Sequence, residues 1–357
     1  MIESGLTKKE KLMLYGLTNY PKSTDKDLST KIGLKHSTVT AIRHRLKENG
    51  FFYKINIPRL QNMGSKMLVV IYTNFNPLIP LEERVKITGK TIEVFEEIFF
   101  SIGEQDKGFS ISLSEDYASI GRINDIRTKT FGVRGLLEEE YPHMVVFPFE
   151  ISKVYRFFDF APLIMKSFDL DLDVNKKLEN IAFLNEEKKE FSDTEKNVFC
   201  MLVSLPECSD KEIGKKIGVS RHTVSRMRRN FENQNLIRTV NLPNLKKLGF
   251  EILTFYHIRF DPRTPPNFDK DEATSMISDS TILFASRMFE AFMLSIHIDY
   301  DDFKKDTNRI MQLLKENNWG AETPIIKTFS LNELHFIKDF KFAPITKKIL
   351  NCPVNLE

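Results

Sequence analysis

The chain has 357 residues, a length typical of about two or three domains. Its 41% hydrophobic content, with 30 Phe, is sufficient for packed cores, and 28% of its residues are charged, as in folded soluble proteins. No apolar run is long enough to span a bilayer, which excludes a membrane-spanning class. Three cysteines and an N-terminus unlike a signal peptide favour the reducing cytoplasm. The net charge of +3 neither requires nor excludes a nucleic-acid partner.

The sequence repeats itself over a long period. Residues 6–77 align without a gap onto 191–262 after a shift of 185 positions, and about a quarter of the pairs are identical. The alignment resumes where Phe160-Ala161-Pro162 corresponds to Phe342-Ala343-Pro344. A period near half the chain is too long for a solenoid, so the repeat predicts two copies of one multi-element unit.

Each copy opens with the pattern of three short helices. Thr7-Lys8-Lys9-Glu10 and Ser192-Asp193-Thr194-Glu195 are capping-box patterns that predict the start of helix 1. Further caps before helix 2 are predicted at Thr24–Asp27 and, more clearly, at Ser209–Glu212. Helix 2 is predicted to end at Gly33 and Gly218, since glycine tolerates the positive φ of a helix C-terminus.

Helix 3 follows after a very short turn, and its buried stripe has i, i+3, i+7 spacing. Extended segments at 51–57 and 236–242 then predict a small β-wing, with Tyr53, Lys54, Arg238 and Thr239 as wing residues. This order predicts a winged helix-turn-helix in each copy. The predicted stripes are Val39, Ile42 and Leu46, and Val224, Met227 and Phe231.

The rest of each copy alternates strand and helix patterns in the order β-α-β-β-α-β, which is ferredoxin-like. The predicted fold class is therefore α+β, a tandem duplication of a winged helix-turn-helix plus a ferredoxin-like domain. A charged linker separates the copies, and its apolar spacing favours a solvated helix over disorder. The predicted domains are winged helices at 1–62 and 191–247, ferredoxin-like domains at 63–168 and 248–357, and the linker at 169–190.

The outward face of helix 3 carries cations and small hydroxyl residues in both copies. A helix fits the DNA major groove, where arginine can bridge two acceptors of guanine. The equivalent Arg43 and Arg228 are better placed for phosphates. The competing interpretation is an ordinary solvated helix face. The candidate DNA-binding residues are Lys35, His36, Ser37, Thr40, Arg43, His44, Arg45, Arg221, His222, Ser225, Arg226, Arg228 and Arg229.

Catalytic patterns are weak. Three of the seven histidines lie on the helix 3 faces, and the other four are scattered over strands and strand ends. The sequence has no HExxH, GxSxG or phosphate-cradling glycine loop. The segment 103–108 favours a turn between strands, and Cys200 and Cys208 lack the spacing of zinc ligands. We therefore expect no catalytic residues, no metal, no cofactor and no enzymatic activity.

The segments Asp27–Leu34, Thr38-Val39, Arg43 and Asn56–Leu60 with Gly64 resemble the Lrp/AsnC (feast/famine) transcription regulators. The second copy repeats the resemblance, most clearly at Ile217–Ser220 and Asn241–Leu245. The resemblance implies a ferredoxin-like domain after each winged helix, β domains that pair into dimers, and amino-acid binding at subunit contacts. The chain departs from the family in carrying two units.

The sequence thus predicts a regulator that binds double-stranded DNA, in which the two β domains mimic a dimer within one chain. Two unlike recognition helices favour an asymmetric site of two different half-sites. Further expected partners are the transcription machinery, a small-molecule effector and a second copy of the chain. Two alternatives remain: an enzyme like the siroheme decarboxylases, which resemble the same two-domain family, and a protein-interaction module of the transcription machinery.

Overall fold

The computed structural model describes residues 5–138, 141–170, 188–268 and 270–352. The predicted linker, 169–190, and its helix lie mostly outside the described residues. The first copy contains the helices α1 (Lys8–Asn19), α2 (Asp25–Ile32), α3 (His36–Glu48), α4 (Leu81–Glu93), α5 (Tyr117–Val133) and α6 (Ala161–Ser167). Its strands are β1 (Phe52–Pro58), β2 (Met67–Asn74), β3 (Ile98–Gly103), β4 (Lys107–Ser114), β5 (His143–Pro148) and β6 (Lys153–Phe157).

The second copy has the same order of elements, so the α+β duplication is confirmed. Its helices are α7 (Asp193–Ser204), α8 (Asp210–Ile217), α9 (Arg221–Asn233), α10 (Leu245–Leu248), α11 (Lys270–Met276), α12 (Tyr300–Glu316) and α13 (Ala343–Leu350). Its strands are β7 (Ile237–Pro243), β8 (Ile252–Arg259), β9 (Thr281–Arg287), β10 (Glu290–His297), β11 (Ile325–Ser330) and β12 (His335–Lys338). A 3-10 helix at Leu60–Met63 corresponds to α10.

Local capping explains where the winged helices begin and turn. Thr7 and Ser192 form reciprocal capping boxes with Glu10 and Glu195 at the starts of α1 and α7. α2 and α8 end at Gly33 and Gly218, whose φ values of 67° and 72° lie in the left-handed region. The predicted stripe of helix 3 is buried, except that Met227 is only half-buried.

The wing differs from the predicted one. Each copy contributes a single strand, and β1 and β7 pair with each other in a two-stranded sheet. Thr239 is buried, and Tyr53 alone of the four predicted wing residues is exposed. Each wing strand pairs with a strand that lies far away in the sequence. Local periodicity cannot indicate such a partner.

Two five-stranded sheets have the orders β12-β3-β4-β2-β5 and β11-β8-β10-β9-β6. Four strands of each sheet follow the ferredoxin-like order, and the fifth comes from the other copy. β12 pairs antiparallel with β3, and β6 pairs antiparallel with β9. The copies therefore exchange their final strands, which the sequence did not predict.

The chain folds into two compact units, and each unit draws on both copies. The first unit comprises the described parts of Met1–Lys54, Ile151–Ala182 and Val240–Glu333. The second comprises the described parts of Ile55–Glu150, Phe183–Thr239 and Leu334–Glu357. Each unit thus holds one winged helix and the ferredoxin-like elements of the other copy. The five-part division predicted from the sequence stays a prediction.

The exchanged segments are fixed by specific contacts within each unit. In the first unit the Tyr155 hydroxyl of β6 donates to the Phe268 carbonyl at 2.7 Å. In the second, the Lys338 ammonium of β12 donates to the Phe95 carbonyl at 2.5 Å. Phe342, just before α13, stacks on Phe99 with ring centroids 4.4 Å apart. No described helix is long and apolar enough to cross a membrane.

Candidate nucleic-acid interface

The predicted reading face of α3 lies at the surface of the first unit. Lys35, His36, Ser37, Thr40, His44 and Arg45 are exposed, and Arg43 is half-buried. Burial of Val39, Ile42 and Leu46 holds the opposite face of the helix against α1 and α2. The polar side of α3 is therefore available to a large partner.

Several side chains of this face contact acidic groups of the same winged helix. Arg45 lies 2.7 Å from Glu10, and His44 Nδ1 lies 2.9 Å from Glu48. Asp25 accepts a hydrogen bond from Thr40 at 2.7 Å. Exposed ion pairs contribute only about 0–1 kcal/mol to stability, so DNA phosphates could replace these carboxylates. While the pairs are present, they lower the positive potential of the α3 face.

The corresponding face of α9, in the second unit, differs from that of α3 in how its cations are paired. Arg221, His222, Arg226 and Arg229 are exposed, and Ser225 is half-buried. Within the described chain, the guanidinium groups of Arg221, Arg226 and Arg229 have no hydrogen bond or ion pair. Three cations on one exposed helix face can approach an anionic partner without first breaking an existing ion pair.

The equivalent arginines of the two helices are held alike. The Arg43 Nε lies 2.5 Å from Asp25, and the Arg228 Nε lies 2.7 Å from Asp210. Both pairs tie helix 3 to the first residue of helix 2 within each winged helix. They supply an architectural reason for an arginine at this position, and the predicted phosphate contacts stay a prediction.

Local contacts in the winged helix of the second unit fix the orientation of α9. Ser220 caps α9 by accepting the Thr223 N–H at 3.1 Å. Gly214 of α8 has no room for a side chain, because a Cβ there would lie 2.6 Å from the Val219 carbonyl oxygen. A glycine in α8 thus permits the tight turn before α9, a role that no local motif signalled.

Groups suited to catalysis are dispersed over the described residues. His257 and His297 are buried in the first unit, with ring nitrogens 3.8 Å from Glu290 and 3.7 Å from Asp302. His143 stacks on Tyr72 in the second unit at 4.9 Å. Among the described residues, no three His, Cys, Asp or Glu side chains gather as metal ligands.

No protein-family model and no curated protein sequence matches the chain. Among solved structures, the siroheme decarboxylase NirDL matches with a TM-score of 0.52 and 8% identity, over 95% of this chain and 98% of that one. Its co-complex with an iron-uroporphyrin III analogue matches with a TM-score of 0.52 and 9% identity, over 97% and 99%. A Pyrococcus furiosus regulator of the AsnC family has a TM-score of 0.31 and 18% identity, over 40% and 88%.

These comparisons correct one expectation. The prediction that the chain has no enzymatic activity rested on the absence of catalytic motifs, and it is overturned because the fold matched along the whole chain is that of an enzyme. The AsnC-family likeness covers only part of the chain. The fold is thus shared with siroheme decarboxylase NirDL over at least 95% of the chain.

Proposed function

We propose that the two winged helices bind double-stranded DNA, with α9 as the principal reading helix. The observation that carries this proposal is the exposed set Arg221, Arg226 and Arg229 on one face of α9, which has no ion pair with any described residue. Arginine is the side chain best suited to bridge guanine O6 and N7 in the major groove. This function does not exclude an enzymatic activity elsewhere in the chain.

The two winged helices differ in the kind of positive charge they carry. Residues 5–54 contain eleven Lys and Arg against four Asp and Glu, a net of +7. The equivalent residues 190–239 contain nine Lys and Arg against seven Asp and Glu, a net of +2. Lysines predominate in the first set, so we expect it to make more phosphate contacts and to read fewer bases than the second. The second reads bases through its arginines.

The double variant Arg226→Ala/Arg229→Ala tests the reading role. We expect weaker binding to the preferred duplex, by about 1–3 kcal/mol for each base that an arginine no longer binds, with a smaller decrease on random duplex. Removing two exposed arginines, Arg122 of α5 and Arg134 just after this helix, is the matched control and should change neither affinity. Equal decreases on preferred and random DNA would contradict base reading, and an unchanged affinity would remove α9 from the interface.

Recovery of genomic fragments bound by the full chain provides the preferred duplex and tests symmetry. The outward faces of α3 and α9 differ, since Ala41 corresponds to Arg226 and His44 corresponds to Arg229. The two faces should therefore select two different half-sites, one of which contains guanine. The strand exchange between the copies supports a dimer-like pairing within one chain. A palindromic site, or no binding to any duplex at moderate salt, would contradict this proposal.

A second candidate function is an enzyme acting on a tetrapyrrole. It is favoured by the fold shared with siroheme decarboxylase NirDL over 95% of the chain. The test is incubation of the purified chain with siroheme, followed by absorbance for binding and mass spectrometry for loss of CO2. Arg226→Ala/Arg229→Ala should leave such an activity unchanged, which separates the two functions. Absence of both tetrapyrrole binding and decarboxylation would exclude siroheme as the substrate.

Three further partners are proposed on the predicted resemblance. They are a component of the transcription machinery, a small-molecule effector and a second copy of the chain. Light scattering of the purified protein tests the last of these directly. A mass of one chain at micromolar concentration without DNA, and of one chain per complex with DNA, would contradict homodimer formation.

A further inference from the structure

A polar layer lies between the helices and the sheet of the second unit. Ser110 and Ser112 are two positions apart on β4, so they face the same side of the sheet, and both are completely buried. Ser110 faces α5, because its hydroxyl oxygen accepts a hydrogen bond from Arg127 at 2.7 Å. Ser101 of β3 pairs directly with Ser110 and is also buried. The centre of this layer is therefore lined by hydroxyl groups.

Two buried arginines enter the same layer from the helices. Arg127 of α5 is 2% exposed, and Arg84 of α4 is 1% exposed. The Arg84 guanidinium lies 4.6 Å from the Phe75 ring, and that of Arg127 lies 5.8 Å from the Phe131 ring. The two rings contact each other edge to face, with centroids 6.0 Å apart. The cations thus flank one aromatic pair.

Among the described residues, no carboxylate pairs with Arg127. Burial alone lowers the pKa of Arg127 to about 10, whereas Asp106 partly opposes the same effect of burial on Arg84. The Nε atoms of both arginines and the hydroxyls of Ser112, Thr73 and Thr128 make no hydrogen bond within the described protein. A charge removed from water without an ionic partner is costly, and unpaired buried donors add to that cost.

The other copy has apolar residues in place of most of these polar groups, although Ser112 corresponds to the buried Ser295. Ser110 pairs with Ile71 and Ser101, and the equivalent Met293 pairs with Tyr256 and Phe284. Ile310 of α12 occupies the helical position of Arg127, ten residues after the start of its helix. Phe268 packs on Phe260 as Arg84 does on Phe75. Met293, Phe284, Ile310 and Phe268 all belong to the apolar core of the first unit.

These exchanges also change the volume of the layer. Two large apolar side chains, Phe284 and Met293, correspond to the serines Ser101 and Ser110. The sheet side of this layer therefore carries smaller side chains than its counterpart in the other copy. A packed apolar core was available to the same fold, so the polar version requires a separate explanation.

We propose that this layer of the second unit binds a small oxyanion, a carboxylate or phosphate group, through Arg127, Arg84, Ser110 and Ser112. An oxyanion supplies the missing negative charge and accepts from the unpaired Nε and hydroxyl donors. The planar guanidinium suits both carboxylate and phosphate, because each offers two oxygens in a matching fork. The site is internal to one unit and independent of the α3 and α9 surfaces.

Thermal unfolding of the full chain tests this site. Inorganic phosphate and acetate are compared with chloride at equal ionic strength. Either oxyanion should raise the Tm by about 5 °C at a concentration about 100-fold above its Kd. Stabilisation by phosphate alone would identify a phosphate-type ligand, and stabilisation by acetate as well would identify a carboxylate-type ligand.

Variants then locate the effect. Arg127→Ile and Ser110→Met introduce the residues of the apolar copy, and both should abolish the stabilisation while leaving the Tm in chloride equal or higher. Arg127→Lys retains a cation but lacks the planar guanidinium fork, so it should weaken the stabilisation by oxyanions. This variant tests the site even if Arg127→Ile does not fold. Arg122→Ile on the exposed side of α5 and Arg226→Ala/Arg229→Ala on α9 should respond like the wild type. No stabilisation of the wild type, or an unchanged effect in Arg127→Ile and Ser110→Met, would overturn the proposal.

Discussion

At the residue scale, the two asparagines of the repeated Asn-x-Pro-x-x-Leu pattern have matching structural roles. In the second unit the Asn56 amide donates to the Leu202 carbonyl of α7 at 2.8 Å. In the first unit the Asn241 amide donates to the Leu17 carbonyl of α1 at 2.9 Å. Leu17 and Leu202 are themselves equivalent by the repeat. Each asparagine therefore binds the end of helix 1 from the opposite copy, which explains why the pattern occurs twice.

Asn56→Ala should destabilise the protein by about 1–3 kcal/mol, because it leaves a buried carbonyl and the Thr239 hydroxyl without their partner. Urea unfolding of the full chain measures this destabilisation. Asn332→Ala, at an exposed position, is the control and should stay within about 0.5 kcal/mol of the wild type. Equal stability of the two variants would show that the Asn56 hydrogen bonds contribute nothing.

Glu290 provides a pH-dependent contribution in the first unit. His257, 3.8 Å away, and Arg287, 2.6 Å away, lower the pKa of the Glu290 carboxyl to about 2. A carboxylate with a depressed pKa stabilises the fold above its unfolded pKa of about 4.3, and this contribution is lost as the pH falls towards about 2. Glu290→Gln should therefore flatten the decrease in Tm over that window. Glu333→Gln, at an exposed position, should follow the wild type, and parallel curves for all three proteins would refute the assignment.

At the element scale, the winged helices depend on one close approach between helix 2 and the following turn. The Val219 N–H donates to the Gly214 carbonyl at 3.0 Å, so the chain turns directly over Gly214. A Cβ at this position would contact backbone atoms, which cannot move as a flexible side chain can. The orientation of α9, and thus of its arginines, follows from this turn.

Gly214→Ala should lower the free energy of unfolding by about 1–3 kcal/mol through overpacking, although alanine is the better helix former. Gly89→Ala is the matched control, because Gly89 lies in α4 of the same unit with open space around it. That substitution should be neutral or stabilise by up to about 1 kcal/mol. Chemical denaturation of both variants makes the comparison, and a stable Gly214→Ala protein would refute the steric argument.

At the scale of the whole molecule, the exchange of final strands determines how the two copies are joined. β6 of the first copy completes the sheet of the first unit, and β12 of the second copy completes the sheet of the second unit. The Lys348 ammonium of α13 also pairs with Glu97 at 2.5 Å. Each unit is therefore built from both copies, and the covalent linker is not their sole connection.

Cleavage at a protease site inserted within residues 171–187 should leave the two copies bound as one particle. The reason is that each unit retains strand pairing and core packing from both copies after the cut. Size-exclusion chromatography of the cut protein measures this, with the uncut protein and the cut protein in denaturant as references. Separation of the copies under native conditions would contradict a structural role for the exchange.

Sequence patterns alone predict the winged-helix and βαββαβ elements of each copy, the capped helix starts, the glycine turns and the polar faces of α3 and α9. These features depend on neighbours within a few residues, so periodicity and local chemistry reveal them. Long-range contacts set the origin of the fifth strands, the pairing of β1 with β7, and which cations pair with carboxylates. They also place Arg84 and Arg127 in a layer that the other copy fills with apolar side chains. Such contacts join residues far apart in the chain, and packing selects them among many partners that the local pattern allows.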